Sequence, residues 1–129
     1  MSLKLEGTLV LVGCGKMGGA MLEGWLKAGA EPAKIAVLEP RPAPETEALL
    51  AKHKVRLNPA VNSITDAEVV IIAVKPQVMG DVLPPLASLQ QSRPLILSVA
   101  AGKTIATFEA AFGKDASVIR TIPNTPAAI

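Results

Sequence analysis

Apolar residues in this chain come in short runs separated by polar, glycine- or proline-containing gaps, and the runs alternate between strand-like and helix-like periods. Thr8-Leu9-Val10-Leu11-Val12 is an apolar, β-rich run and predicts a first strand. Directly after it, Ala20, Met21, Trp25, Leu26 and Ala28 recur at helical spacing, so a helix is expected from near Lys16. Ile35-Ala36-Val37-Leu38 reads as a second strand. Pro40, Pro42 and Pro44 then punctuate a loop, and Glu45 to His53 follows as a helix with Leu49 and Leu50 on its buried side. Val55 to Leu57 is a short third strand ended by Asn58-Pro59. Val69-Val70-Ile71-Ile72-Ala73-Val74 carries the strongest strand signal, and its unbroken apolar character implies burial on both faces. Gln77 to Leu89 tends to helix, interrupted by Pro84 and Pro85. Leu95-Ile96-Leu97-Ser98-Val99 is a fifth strand. Thr104 is placed to cap a helix running through Phe112, which Gly113 closes, and Val118-Ile119-Arg120 is a sixth strand.

Strand and helix alternate throughout, with no internal repeat. The expectation is therefore one α/β domain over residues 1–129, Rossmann-like and doubly wound, with a mostly parallel sheet and helices on both faces. In such sheets ligands bind outside the carboxyl ends of the strands. The segments expected there are Gly13–Gly18, Glu39–Arg41, Lys75-Pro76-Gln77, Ala100-Ala101-Gly102 and Pro123–Pro126, enough for a nucleotide cleft with room for a second ligand.

Composition narrows the picture. Half of the 129 residues are hydrophobic, yet Tyr is absent, Phe occurs twice and Trp once, so the core must be aliphatic. Thirteen basic and eleven acidic residues leave a net charge of +2 without a basic cluster, which argues against nucleic acid as a partner. No apolar run approaches the roughly 20 residues needed to span a bilayer, and no signal peptide precedes the first strand. One cysteine excludes an internal disulfide framework and suits a reducing cytoplasm, and no metal site is expected.

The candidate chemistry starts at Gly13, Gly15 and Gly18, a G-x-G-x-x-G between strand and helix. That context is the form in which proteins hold the pyrophosphate of a dinucleotide, NADH or NADPH. Gly13 permits the turn, Gly15 lets the backbone approach the phosphates, and Gly18 lets the helix sit close. The helix start aims free N–H groups and a positive dipole end at the anion. Cys14, inside the loop, reads as a small filler, with a reactive thiol at a helix start as the alternative. Glu39 ends the second strand, where a carboxylate binds ribose hydroxyls and favours NAD. Arg41, two residues on, could instead pair with a 2′-phosphate and favour NADP, and the choice stays open. His53, the only histidine, falls at the end of the second helix as an exposed residue away from the site. Lys75 is either a general acid or a residue presenting its main chain, held extended by Pro76.

Val12-Gly13-Cys14-Gly15-Lys16-Met17-Gly18, Ala73-Val74-Lys75-Pro76-Gln77, Ser98-Val99-Ala100-Ala101-Gly102 and Arg120-Thr121-Ile122-Pro123-Asn124-Thr125-Pro126 occur in an order that resembles the N-terminal domain of pyrroline-5-carboxylate reductase. The resemblance runs from Leu9 to the end. It implies hydride transfer from NAD(P)H to the imine carbon of 1-pyrroline-5-carboxylate, giving L-proline. It implies that Gly13, Cys14, Gly15, Lys16, Met17 and Gly18 hold the pyrophosphate. Glu39 falls at the adenosine ribose, and Asn62 on the adenosine side. Ala73, Val74, Lys75 and Pro76 run beside the cofactor, with Lys75 toward the nicotinamide half. Ala100, Ala101 and Gly102, with Pro123, Asn124, Thr125 and Pro126, line the nicotinamide and substrate end. The family carries a second, helical domain that forms the homo-oligomer and completes the substrate pocket. This chain alone is therefore expected to bind nucleotide with little or no reductase activity and to hold no catalytic residue. The alternatives are a non-catalytic dinucleotide-sensing module and the cofactor domain of a related β-hydroxyacid-type dehydrogenase.

Overall fold

The structure is a computed structural model and describes residues 6–99 and 105–120. Six strands form one sheet: β1 (Thr8–Val12), β2 (Ile35–Leu38), β3 (Arg56–Leu57), β4 (Ala67–Ile72), β5 (Leu95–Ser98) and β6 (Ser117–Arg120). Their order is β3-β2-β1-β4-β5-β6, and every pairing is parallel. The helices are α1 (Lys16–Lys27), α2 (Pro44–His53), α3 (Met79–Val82) and α4 (Ile105–Phe112), joined by several 3₁₀ turns. Among the described residues no helix is long and apolar enough to cross a membrane.

Parallel strands need crossovers, and crossovers are right-handed. The chain winds from β1 outward to β3, then returns and winds the other way from β4 to β6, so the two sets of connections must cover opposite faces. The core divides accordingly. Leu9, Leu11, Ile35, Val37 and Ile71 pack with Leu22 of α1 and Leu50 of α2. The alternate residues Val10, Val12, Ala36, Val70 and Ile72 pack with Met79, Leu83, Leu86, Leu89, Phe108 and Phe112. The period of two along each strand sends successive side chains to opposite layers, so β1 is buried on both sides. The doubly wound, Rossmann-like expectation holds, and the reversal of strand order falls between β1 and β4.

Local chemistry sets the boundaries. Helix α1 ends in a Schellman arrangement: Gly29 has φ +96°, its N–H donates to Leu26 O at 3.2 Å, and Ala30 N–H donates to Trp25 O at 3.0 Å. Helix α2 begins at Pro44, one residue earlier than expected, because the first helical position needs no N–H. His53 at its end is half-buried rather than exposed. Strand β3 is shorter than the expected Val55–Leu57. Val55 N–H donates to Leu50 O at 2.9 Å as part of the α2 cap, and Lys54 (φ +58°) and Asn58 (φ +52°) turn the chain on either side.

Strand β4 ends at Ile72, not Val74, because its partner β1 turns away at Gly13. Ala73 N–H still reaches Val12 O at 2.8 Å, the last bond available. The interrupted helix expected over Gln77–Leu89 is three pieces, broken at Pro84 as expected and also at its start: a 3₁₀ turn at Pro76–Val78, α3, and a 3₁₀ stretch at Pro84–Ser92. Leu83 N–H makes the last α-type bond, to Met79 O at 3.0 Å. Pro84 and Pro85 have no N–H to continue it, and Leu86 N–H bonds Leu83 O instead. Strand β5 ends at Ser98, and β6 starts one residue before the expected Val118. Gly113, with φ +101°, closes α4, while Thr104 lies outside the described residues.

Candidate functional site

The site grows from the end of β1. Gly13 turns the chain with φ +90°, and its N–H donates to Leu38 O at 2.8 Å, tying the turn to the end of β2. A Cβ on Gly13 would lie 2.8 Å from both Ala73 O and Val74 Cγ1, so no larger residue fits between the turn and the chain leaving β4. A Cβ on Gly18 would lie 2.5 Å from Gly13 O and 3.7 Å from Leu11 Cδ2, so this glycine sets how closely α1 approaches the turn and β1. Gly15 differs from both: nothing lies within 4 Å of where its Cβ would be. The first and third glycines are required by the protein's own packing, whereas the second faces open space.

Gly15 is the cap residue of α1, and no side chain caps the helix there. The first turn contains no acidic residue. A 12-residue helix with its leading N–H groups uncapped by side chains presents a partial positive charge at this edge. Lys16 and Met17 belong to that first turn.

Glu39, one residue past β2, reaches into the loop. Its Oε1 accepts the Cys14 N–H at 2.9 Å, and its Oε2 accepts the Arg41 N–H at 3.2 Å. Arg41 is exposed, and among the described residues no ion pair joins its guanidinium to Glu39. Cys14 itself is buried in the α1–α2 layer. Burial, and secondarily the Glu39 carboxylate, push its thiol above the usual range, so it stays protonated and packs as a small apolar group. The main-chain N–H of Cys14, not its sulfur, faces the site chemistry.

A residue that the sequence marked only as a strand breaker holds this arrangement. Asn58 Oδ1 accepts the Glu39 N–H and Asn58 Nδ2 donates to Glu39 O, both at 2.8 Å. Asn58 N–H also donates to Val37 O at 2.7 Å. One signal was present in the sequence: asparagine tolerates the left-handed conformation found here, and it follows the strand that pairs with β2.

Beside Glu39 opens a cavity of about 290 Å³, lined by Val12, Leu38, Pro59, Val61, Val74 and Leu86 among others, with Glu39 and Asn58 at its polar side. It gathers the ends of β1, β2 and β3 and the residues after β4. A second groove, of about 650 Å³, on the α1–α2 side of the loop passes Cys14, Gly15 and Gly19 and carries Glu23 and Glu45.

The fold thus brings together Gly13, Cys14, Gly15, Gly18, Glu39, Arg41 and Val74. Ala73 packs in the α1–α2 layer beneath the loop, Lys75 is exposed just beyond it, and Pro76 opens the following 3₁₀ turn. Asn62 is exposed in the 3₁₀ turn Val61–Ser63; its neighbour Val61 lines the cavity in its place. His53, at the end of α2, is absent from both cavities. Ala100, Ala101, Gly102, Pro123, Asn124, Thr125 and Pro126 lie outside the described residues.

Comparison with known proteins agrees with this geometry. Residues 8–102 match the family described as NADP oxidoreductase, coenzyme F420-dependent. A Haemophilus influenzae protein named pyrroline-5-carboxylate reductase is 36% identical over 122 residues, covering 94% of this chain and 44% of that protein. One of the same name from Methanosarcina acetivorans is 34% identical over 120 residues, 92% of this chain and 44% of that protein. The solved structure of a pyrroline-5-carboxylate reductase from Coxiella burnetii superposes with a TM-score of 0.80 at 27% identity, over 95% of this chain and 46% of that one. The chain spans less than half the length of these relatives. With an open glycine loop at the switch point of a parallel sheet, and a match that begins at the first residue of β1 and runs past the end of β5, the chain belongs to the NADP oxidoreductase, coenzyme F420-dependent family.

Proposed function

We propose that the protein is a pyrroline-5-carboxylate reductase and that this chain is its dinucleotide-binding part. The observation that carries the reading is the opening at Gly15. Of Gly13, Gly15 and Gly18 it is the one whose missing side chain leaves room for something other than protein, directly at the uncapped start of α1. A diphosphate there would meet main-chain N–H groups and the helix dipole. The apolar cavity beside Glu39 suits a flat heterocycle such as adenine, and Glu39, bonded to the loop through Cys14 N–H, lies where the adenosine ribose would be.

Strands β5 and β6 end on the same edge, so the chain leaves the sheet on the ligand side twice more, at Ser98 and Arg120. Ala100–Gly102 and Pro123–Pro126 follow those exits in sequence and are assigned to the nicotinamide and substrate end. When bound, the nicotinamide supplies the hydride that reduces the imine of 1-pyrroline-5-carboxylate to L-proline. The residues of this chain contribute position: they fix the diphosphate, seat the adenine and orient the ribose, and hydride transfer is sensitive to such placement.

The test is steady-state oxidation of NADH and of NADPH by the full protein with 1-pyrroline-5-carboxylate. Turnover that depends on this imine is expected. Tight dinucleotide binding without turnover would contradict the reductase reading and leave a dinucleotide-sensing module in its place.

A further inference from the structure

We propose that Asn58 is the positioning residue through which this site discriminates against a 2′-phosphate, making the protein prefer NADH to NADPH. The proposal rests on the dinucleotide reading above and adds a residue and a direction to it.

A carboxylate at the end of β2 repels a 2′-phosphate only if it is held where the phosphate would go. A free glutamate side chain has three rotatable bonds and can swing away, or be neutralised by a neighbouring cation. Neither happens to Glu39. Both of its carboxylate oxygens accept main-chain N–H groups, from Cys14 at 2.9 Å and Arg41 at 3.2 Å. The guanidinium of Arg41, the obvious partner for a 2′-phosphate, is exposed and makes no ion pair with Glu39 among the described residues. The nearby groove adds the carboxylates of Glu23 and Glu45 on its α1–α2 side.

The position of that carboxylate depends on the main chain that carries it. Residue 39 lies beyond the last ladder residue of β2, so the sheet does not hold it. Asn58 supplies the missing ladder. Its carboxamide gives one acceptor to Glu39 N–H and one donor to Glu39 O, both at 2.8 Å, as a neighbouring strand would. Its own N–H is fixed to Val37 O at 2.7 Å, its φ is +52°, and its side chain reaches forward past the end of β2 to Glu39. No other standard side chain of this length carries both a donor and an acceptor in one plane. Aspartate lacks the donor and adds a like charge beside Glu39, and glycine keeps the backbone conformation but removes the clamp.

The experiment measures dissociation constants of NADH and NADPH on the full protein and compares their ratio across variants. The unaltered protein is expected to favour NADH by at least about tenfold, since a 2′-phosphate must approach a fixed carboxylate. Glu39→Ser removes the preference directly. Asn58→Gly reduces it by about tenfold while binding both nucleotides, and Asn58→Gly made in the Glu39→Ser background changes the ratio no further. A merely structural lesion weakens both nucleotides alike and leaves the ratio where it was. An unaltered protein that favours NADPH, or an Asn58→Gly variant that keeps the original ratio, would overturn the proposal, and the first of these holds even if a variant fails to fold. Absence of any dinucleotide binding by the unaltered protein would instead sink the underlying reading of the site, and this proposal with it.

Discussion

Replacing Gly13 by alanine is expected to remove much of the stability of this domain, whereas the same change at Gly15 leaves stability nearly untouched. The two glycines sit two residues apart in one loop and differ in what surrounds them. Gly13 has φ +90°, and a Cβ there would press on Ala73 O and Val74 Cγ1 at 2.8 Å. Backbone strain of that kind costs about 1–3 kcal/mol and overpacking against main chain about 1–3 kcal/mol more, so the expected loss is roughly 2–6 kcal/mol. The turn cannot relax outward, because Gly13 N–H is fixed to Leu38 O and Val12 O accepts from Ala73 N–H. At Gly15, φ is −79° and no atom lies within 4 Å of the added carbon, so Gly15→Ala is expected to change stability by no more than about 0.5 kcal/mol. Its effect is expected on dinucleotide affinity, which falls because the new methyl enters the space assigned to the diphosphate. Denaturant unfolding of both variants checks the pair. Equal destabilisation by the two would mean that the loop glycines serve packing alone.

Phe108→Ala is the second large effect. Phe108 is 0% exposed and heads the fully buried side chains by volume, packed with Leu83, Leu86, Leu89, Ile96 and Phe112 in the α4-side layer. The chain has only two phenylalanines, one tryptophan and no tyrosine, so no other aromatic ring stands ready to fill the gap from that layer except Phe112. Truncation to alanine removes the ring and leaves a cavity, a change that costs about 3–5 kcal/mol in well-packed cores. Domains of this kind are stable by only about 5–15 kcal/mol in total, so the midpoint of denaturant unfolding should fall sharply. A loss below about 1 kcal/mol would contradict the assignment of Phe108 to the core.

The architecture was legible because it follows from periods that the chain carries in itself. Alternating apolar runs located all six strands, and the handedness of parallel crossovers fixed the two layers. Boundaries were legible only where a residue marks them locally, as Gly113 does; Pro44, read as part of the loop, proved to be the first residue of α2. Where a neighbour sets them, they were not: Ala73-Val74 reads as strand in sequence but loses its partner when β1 turns at Gly13. The interruption expected at Pro84 and Pro85 was legible for a local reason, their missing N–H groups, and the second half of Gln77–Leu89 takes 3₁₀ geometry. In the candidate site, the glycines were legible because absence of a side chain is itself the signal. Which of the three faces protein and which faces open space was not, since that depends on atoms of β4 and α1. Asn58 was hidden for the same reason: its side chain acts on main-chain atoms 19 residues earlier, brought close only by the β2–β3 pairing.

Amide chemical shifts of the protein titrated with NADH report most directly where a dinucleotide lies. The predicted result is that the amides of Cys14 to Gly19 and of Glu39 to Arg41 move first and furthest, followed by those of Val61 and Val74 around the apolar cavity, with Gly15→Ala suppressing the whole response. Saturable NADH binding that leaves these amides in place and shifts residues elsewhere would contradict it.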